Sequence, residues 1–437
     1  MAHLRCRYES KPRWRAAIRE RRPVTVLFIF FVWTGPAMCA PWPRDLVRCF
    51  VKERNLKLDN AKGILITLVV IGHMLLPIQG TTRGVTNFFY MIYTFHMPAF
   101  VFISGLLAQR IYTRVPKRYF NGRRWCSTLW LYLLFQFILF FSEIPAYGRT
   151  TRFPDFLHTS GAPWYLLALL LWYLMISFFY AYRDFPYSLI AWILLTIMSL
   201  AGGYLASGAL AGLGDFLALD RVIAFAPFFF AGYFVGPERL MRFLGAEQES
   251  VVAPEAASKR ASSRRWSPEE ASKRAGRGIV LLLTALGLLC FVLVGTQTFD
   301  RLLPYKNVVY GAWYYRFHSE QNPTAFPDVL ASCLWLIRLA WFLVSGLMSF
   351  ALLALMPNRR LPLITTIGQR TLQIYILHRP IRDLLLAGGF ITAAGPENSA
   401  HVLLLIALSI LMTIVLSAGI LQRLFDAIQK LPERLLL

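Results

Sequence analysis

Apolar residues in this chain run in long blocks instead of alternating with polar ones, and the charged residues gather between the blocks. Ten blocks meet the requirement of about 17–25 residues for a helix that crosses a bilayer. They are 63–79, 85–108, 125–145, 162–182, 185–205, 219–236, 278–297, 329–356, 365–387 and 401–422. Backbone in lipid must satisfy its own N–H and C=O groups, so the pattern predicts an all-α, polytopic transmembrane helix bundle of about ten spans. Ahead of the blocks, eight Arg or Lys and two Glu in residues 1–23 precede a short apolar core, Val24 to Trp33, and small residues up to Ala40. That order reads as a signal-like or organellar targeting segment within residues 1–50, with a short extra helix as the alternative. The polar stretch 237–277, rich in Ala, Ser, Glu, Lys and Arg, reads as a mobile insert between the sixth and seventh spans. The membrane-embedded domain is thereby expected at 55–422, with 423–437 as a short tail.

Composition agrees with the pattern. Of 437 residues, 57% are hydrophobic and 16% charged, against roughly 45–50% and 25% in a soluble domain, which excludes a soluble globular enzyme. The 46 Lys plus Arg against 23 Asp plus Glu give a formal charge of +23. In a multi-span protein that excess belongs to cytoplasmic loops and anionic lipid heads, so it lends no support to nucleic-acid binding. With residues 41–62 placed in the cytoplasm, alternate loops carry 28 Lys or Arg on that side and nine on the other. This positive-inside pattern also puts 237–277 and 423–437 in the cytoplasm. Six scattered cysteines form no CxxC pair, so no disulfide framework and no metal site is expected.

Ionisable residues inside apolar blocks are costly and call for a reason. In the first span Lys62 and His73 are eleven residues apart, about three helical turns, so they share a face with His73 about 16 Å deeper. Asp59, one turn before Lys62, is expected to pair with it or to cap the helix. In the second span, Phe95-His96-Met97-Pro98 is followed by Ser104-Gly105. Pro98 frees the carbonyl of residue 94, a vacancy tolerated only where protein or water fills it. The ninth span offers His378, followed by Arg379. Each imidazole has a structural reading beside the functional one: interhelical hydrogen bonding for His73 and His96, snorkelling with Arg379 and Arg382 for His378, and close helix packing for Ser104-Gly105. Arg110, Arg114, Lys117, Arg118, Arg123 and Arg124 crowd one loop, either for topology or as a phosphate clamp. Trp164-Tyr165 suits an interfacial belt or the wall of a ligand cavity.

Taken together, four segments resemble the integral-membrane acyltransferase-3 family, most closely its fucose 4-O-acetylase-like branch. They are Leu58-Asp59-Asn60-Ala61-Lys62-Gly63 running to His73, Phe95-His96-Met97-Pro98 through Ser104-Gly105, Pro163-Trp164-Tyr165-Leu166, and Tyr375-Ile376-Leu377-His378. The resemblance implies transfer of an acyl group, usually acetyl, from a cytoplasmic coenzyme A thioester to a hydroxyl of a carbohydrate or similar acceptor. Acyl-CoA is then a donor substrate, and no cofactor is bound permanently. His73 takes the family's catalytic position, and Lys62 stands where the family commonly has Arg.

On that reading Lys62, Arg118, Arg123 and Arg124 hold the donor phosphates, and Trp164 and Tyr165 contact substrate. His73 takes the hydroxyl proton, His96 or Ser104 donates to the oxyanion, and His378 belongs to the catalytic group. Acceptor choice is expected from the loops 146–161, 206–218 and 298–328, the last with Trp313, Tyr314 and Tyr315. The alternative from another class is a proton-coupled transporter, in which intramembrane His and Arg relay protons or bind an anion.

Overall fold

The computed structural model describes residues 54–80, 82–112, 121–148, 153–159, 161–179, 182, 184–207, 216–245, 268–296, 308–311, 334–394 and 398–431. The N-terminal segment, Arg118, most of the 237–277 insert and the Trp313-Tyr314-Tyr315 run lie outside them. Among the described residues the fold is helical: α1 Leu56–Leu75, α2 Arg83–Tyr112, α3 Gly122–Tyr147, α4 Trp164–Phe179, α5 Tyr187–Ser207, α6 Leu219–Phe243, α7 Pro268–Gly295, α8 Leu334–Leu355, α9 Ile364–Gln369, α10 Thr371–Ala387, α11 Ser399–Leu416 and α12 Gly419–Gln429. Each of the ten apolar blocks contains helix among the described residues. Seven helices among the described residues are long and apolar enough to cross a membrane, and α4 and α5 are shorter apolar ones. The chain is a multi-pass integral membrane protein with an all-α bundle.

Helix starts follow from local chemistry. Asn55, Asn121 and Asn398 each sit at an N-cap, and their side-chain oxygens accept from the N–H groups of Leu58 (3.1 Å), Arg124 (3.1 Å) and His401 (3.2 Å). Between apolar helices in lipid, close packing supplies the attraction that the hydrophobic effect supplies in water. Two glycine contacts provide it here. A Cβ on Gly105 of α2 would overlap the backbone of Phe229, and one on Gly232 of α6 would overlap the backbone of Phe102, so α2 and α6 meet backbone to backbone. Gly63 of α1 and Gly368 of α9 meet in the same manner, against Ile364 and Asp59. The carbonyl of Thr94, freed by Pro98, accepts from Trp341 Nε1 at 3.1 Å and Ser345 Oγ at 2.5 Å, both on α8. α2 is the central helix, with 72% of its apolar window buried, while α7 has 11% and presents Leu281 and Leu282 outward, as a lipid-facing helix would.

Three boundaries differ from the apolar pattern. The ninth block breaks at Arg370 into α9 and α10, and the tenth breaks at Ser417 into α11 and α12. The two breaks hold each other: Gln373 Nε2 donates to Leu416 O at 2.6 Å, and Arg370 donates to Ser417 O, filling carbonyls left open at the end of α11. Residues 423–429 of the expected tail therefore belong to α12, and Trp130 Nε1 of α3 donates to Ile428 O at 3.1 Å. α7 begins inside the polar insert, at Pro268, because Glu, Arg and Lys propagate a helix as well as apolar residues do, whereas α6 is broken at the end of its apolar block by Gly236, at a φ of 71°, before a short helical segment reaches Phe243. Hydropathy marks the lipid-compatible part of a helix and is blind to where its hydrogen bonding stops.

Candidate functional site

The site is built at the far end of α1 from Lys62. Pro77 has no N–H for the carbonyl of His73, four residues earlier, so the last turn of α1 needs an outside donor. Arg382 of α10 provides it, with Nε 3.1 Å from His73 O. Arg382 is 2% exposed, and it also donates to the hydroxyl of Tyr147 and, at 2.6 Å, to Asp383 Oδ1. Ser142 Oγ donates to Asp383 Oδ2 at 3.3 Å. Arg379, one turn back on α10, has Glu143 at 3.7 Å and Asp383 at 3.8 Å. α10 thus carries two guanidiniums and one carboxylate into the bundle, and α3 supplies the second carboxylate.

Beside this network the imidazole of His73 meets that of His378, with ring centroids 5.2 Å apart and planes tilted by 40°. His378 is fully buried, and its Nδ1 lies 2.9 Å from Ile374 O. A carbonyl only accepts, so Nδ1 carries the proton and Nε2 the lone pair. That Nε2, like Nδ1 of His73, is buried with no hydrogen-bond partner among the described residues. His73, in contrast, lines a cavity of about 220 Å³ together with Tyr93, Met97, Trp164, Arg221, Tyr310 and Arg379. Trp164 stacks on Phe225 at 5.2 Å and lies under the guanidinium of Arg221 at 5.4 Å. A second, polar recess of about 110 Å³ between α3 and residues 154–163 shares Gly161 with the first. On its rim Asp155 accepts from the backbone N–H groups of His158 (2.9 Å) and Leu157 (2.8 Å), which hold its carboxyl below the usual range. An apolar cavity with an imidazole, two guanidiniums and an indole in its wall can take an acyl chain and polarise its carbonyl.

The sequence candidates separate here. His73 and Trp164 line the cavity. Ser104 does not: its hydroxyl bonds to Phe100 O at 2.9 Å and to Tyr165 OH at 2.5 Å. Gly72 abuts Tyr93, so His73 stands level with Tyr93, and eleven residues of α2 place Ser104 about 16 Å away along the helix. It lies outside the wall that His73 shares. Tyr165 is turned toward Ser104 and toward Tyr375, 5.7 Å away, and is not part of the wall that Trp164 forms. His96 is buried one turn below Tyr93, with Nδ1 donating to Ile92 O at 2.7 Å, and it too is outside the wall. His378 sits behind His73 and does not line the cavity. Lys62 pairs with Asp59 at 2.8 Å, and Gln369 Nε2 reaches the other oxygen of Asp59 at 3.3 Å. Arg123 and Arg124 are exposed at the start of α3.

Sequence reasoning passed over Glu143, Asp383, Arg221, Tyr93 and Tyr310. For the two acids a signal existed, since Glu143 and Asp383 are carboxylates inside apolar blocks, where every ionisable group asks for a partner. The aromatic residues carried none, being ordinary members of an aromatic-rich bundle.

Comparison with known proteins places the chain further. The model of a family described as "Acyltransferase domain" matches residues 55–421. The "Nodulation protein NolL" of Mesorhizobium japonicum is 42% identical over 91 residues, which cover 18% of this chain and 24% of that protein. Its namesake in Sinorhizobium fredii is 33% identical over 157 residues, covering 34% of this chain and 43% of the relative. The chain thus spans less than half the length of these curated relatives. No solved structure matches it.

Proposed function

The chain belongs to the acyltransferase-domain family, and from that premise we propose that it moves an acyl group, acetyl in the first instance, from acyl-CoA to a hydroxyl of a carbohydrate or related acceptor, with His73 as general base. The observation that carries this reading is the position of His73: a ring in the wall of the cavity, with one nitrogen buried and without a partner among the described residues, on the helix where the family motif begins. His378 acts as a positioning residue. Its Nε2 lone pair can accept from Nδ1–H of His73, which would leave Nε2 of His73 to take the hydroxyl proton. Trp164 walls the acyl group. Lys62, Arg123 and Arg124, with Arg118, are assigned to the phosphates of the donor, whose pantetheine arm would reach along α1 toward His73.

Two assays test the reading. Purified protein should release free thiol from acetyl-CoA and label a hydroxyl acceptor with the acyl group, and Lys62→Ala should raise donor KM more than acceptor KM. Solute uptake into liposomes without any thioester consumption would replace the enzyme by a transporter.

A further inference from the structure

We infer that Arg379 is the oxyanion donor of this reaction, a role that rests on the acyl-transfer reading above and that falls to neither His96 nor Ser104. Arg379 and Arg382 stand three residues apart on α10, both buried, at 5% and 2% exposure. Their surroundings differ. Arg382 donates to the His73 carbonyl, the Tyr147 hydroxyl and the Asp383 carboxylate, so its fork is committed to the fold. Arg379 has its charge compensated by Glu143 at 3.7 Å and Asp383 at 3.8 Å, yet makes no hydrogen bond among the described residues, and its Nε is buried without a partner. A guanidinium has five N–H donors, and a protein seldom buries such a set uncommitted. Arg379 also lines the cavity that His73 lines. His73 and Arg379 therefore line one space.

The chemistry needs both. His73 takes the proton of the acceptor hydroxyl as the hydroxyl oxygen bonds to the thioester carbonyl carbon. The carbonyl π pair moves onto its oxygen, and Arg379 donates to the oxyanion so formed. Collapse re-forms the carbonyl and breaks the carbon–sulfur bond. The departing thiolate takes the proton back from His73, leaving an ester and a free thiol. Because the charge develops only in the transition state, Arg379 should act on kcat and leave donor binding nearly unchanged.

The test uses the full chain in nanodiscs, with acetyl-CoA as probe and thiol release as readout. Arg379→Gln should lower kcat about 10²- to 10³-fold, the usual size for one oxyanion donor, while KM for acetyl-CoA changes by less than about threefold. Arg379→Lys keeps the charge and loses the fork, so it should fall between Gln and wild type. If Arg379→Gln aggregates on size exclusion because two buried carboxylates lose their cation, Arg379→Lys and the double variant Arg379→Gln with Glu143→Gln carry the same comparison. A folded variant without the guanidinium that keeps wild-type kcat overturns the role. So does a loss confined to KM, the mark of ground-state anion binding. A wild-type protein that releases no thiol overturns the acyl-transfer reading itself and the role of Arg379 with it, whereas active wild type with equally active Arg379 variants overturns only the role.

Discussion

The two ends of α1 come from one sequence motif and have opposite character. At the Asn60 end the polar side chains are matched. Asn60 Nδ2 donates to Pro357 O and Arg359 O, each at 2.9 Å, and its Oδ1 accepts from Thr365 Oγ1 at 2.6 Å. Lys62 holds Asp59, and Lys57 Nζ donates to Ala354 O at 3.0 Å. Gly63 and Gly368 close the same contact backbone to backbone. At the His73 end, His73 Nδ1, His378 Nε2 and Arg379 Nε are buried without partners among the described residues. Each such group costs about 1–3 kcal/mol. The fold thus pairs its polar groups at one end of α1 and, among the described residues, leaves three open at the other. The motif that begins at Leu58 is in its first half a clamp on the segment after α8, and in its second half leads to the ring in the cavity wall.

The largest effect expected from this contrast is at His73. His73→Gln keeps volume and hydrogen bonding but cannot take a proton at neutral pH, so turnover should drop about 10²- to 10⁴-fold with an unchanged melting temperature. Wild-type turnover in that variant would make the two ends alike. Gly368→Ala should do the reverse. A Cβ there meets the backbone of Asp59, and forcing α1 and α9 apart costs about 1–3 kcal/mol, read as a lower Tm with normal turnover per folded molecule. Asn60→Ala sharpens the same side. It strips partners from two carbonyls and the Thr365 hydroxyl, and should cost about 1–3 kcal/mol of stability without altering the KM of either substrate. The smallest effect is at Ser104. Ser104→Ala removes only the contacts to Phe100 and Tyr165, so its loss of turnover should stay below about tenfold, under the range of a group at the reacting atoms. A hundredfold loss would return Ser104 to the site.

Much of this was open to inspection along the chain. Lipid offers no hydrogen bonds, so a block of twenty apolar residues has little choice but helix, and each of the ten blocks holds helix among the described residues. Local chemistry was equally legible: Asp59 and Lys62 are three apart on a helix and pair, and Pro98 frees a carbonyl that a neighbour must fill. The acid residues Glu143 and Asp383 were visible as charges in apolar blocks, though their partners were not.

What only the tertiary structure decided is which polar groups meet. Hydropathy describes one helix against lipid, and it is unchanged when that helix turns about its axis or slides along its neighbour. Those two freedoms are fixed by contacts such as Gly63 with Ile364, Gly105 with Phe229 and Gly72 with Tyr93, which depend on backbone approach between helices distant in sequence. Once they are set, the His73 ring meets that of His378, Ser104 bonds to Tyr165, and of two neighbouring arginines Arg382 donates to three groups of the fold while Arg379, in the cavity wall, donates to none among the described residues. The sequence could name the histidines and arginines because burying them in a bilayer is costly. It could not assign them, because their roles lie in the distances between helices.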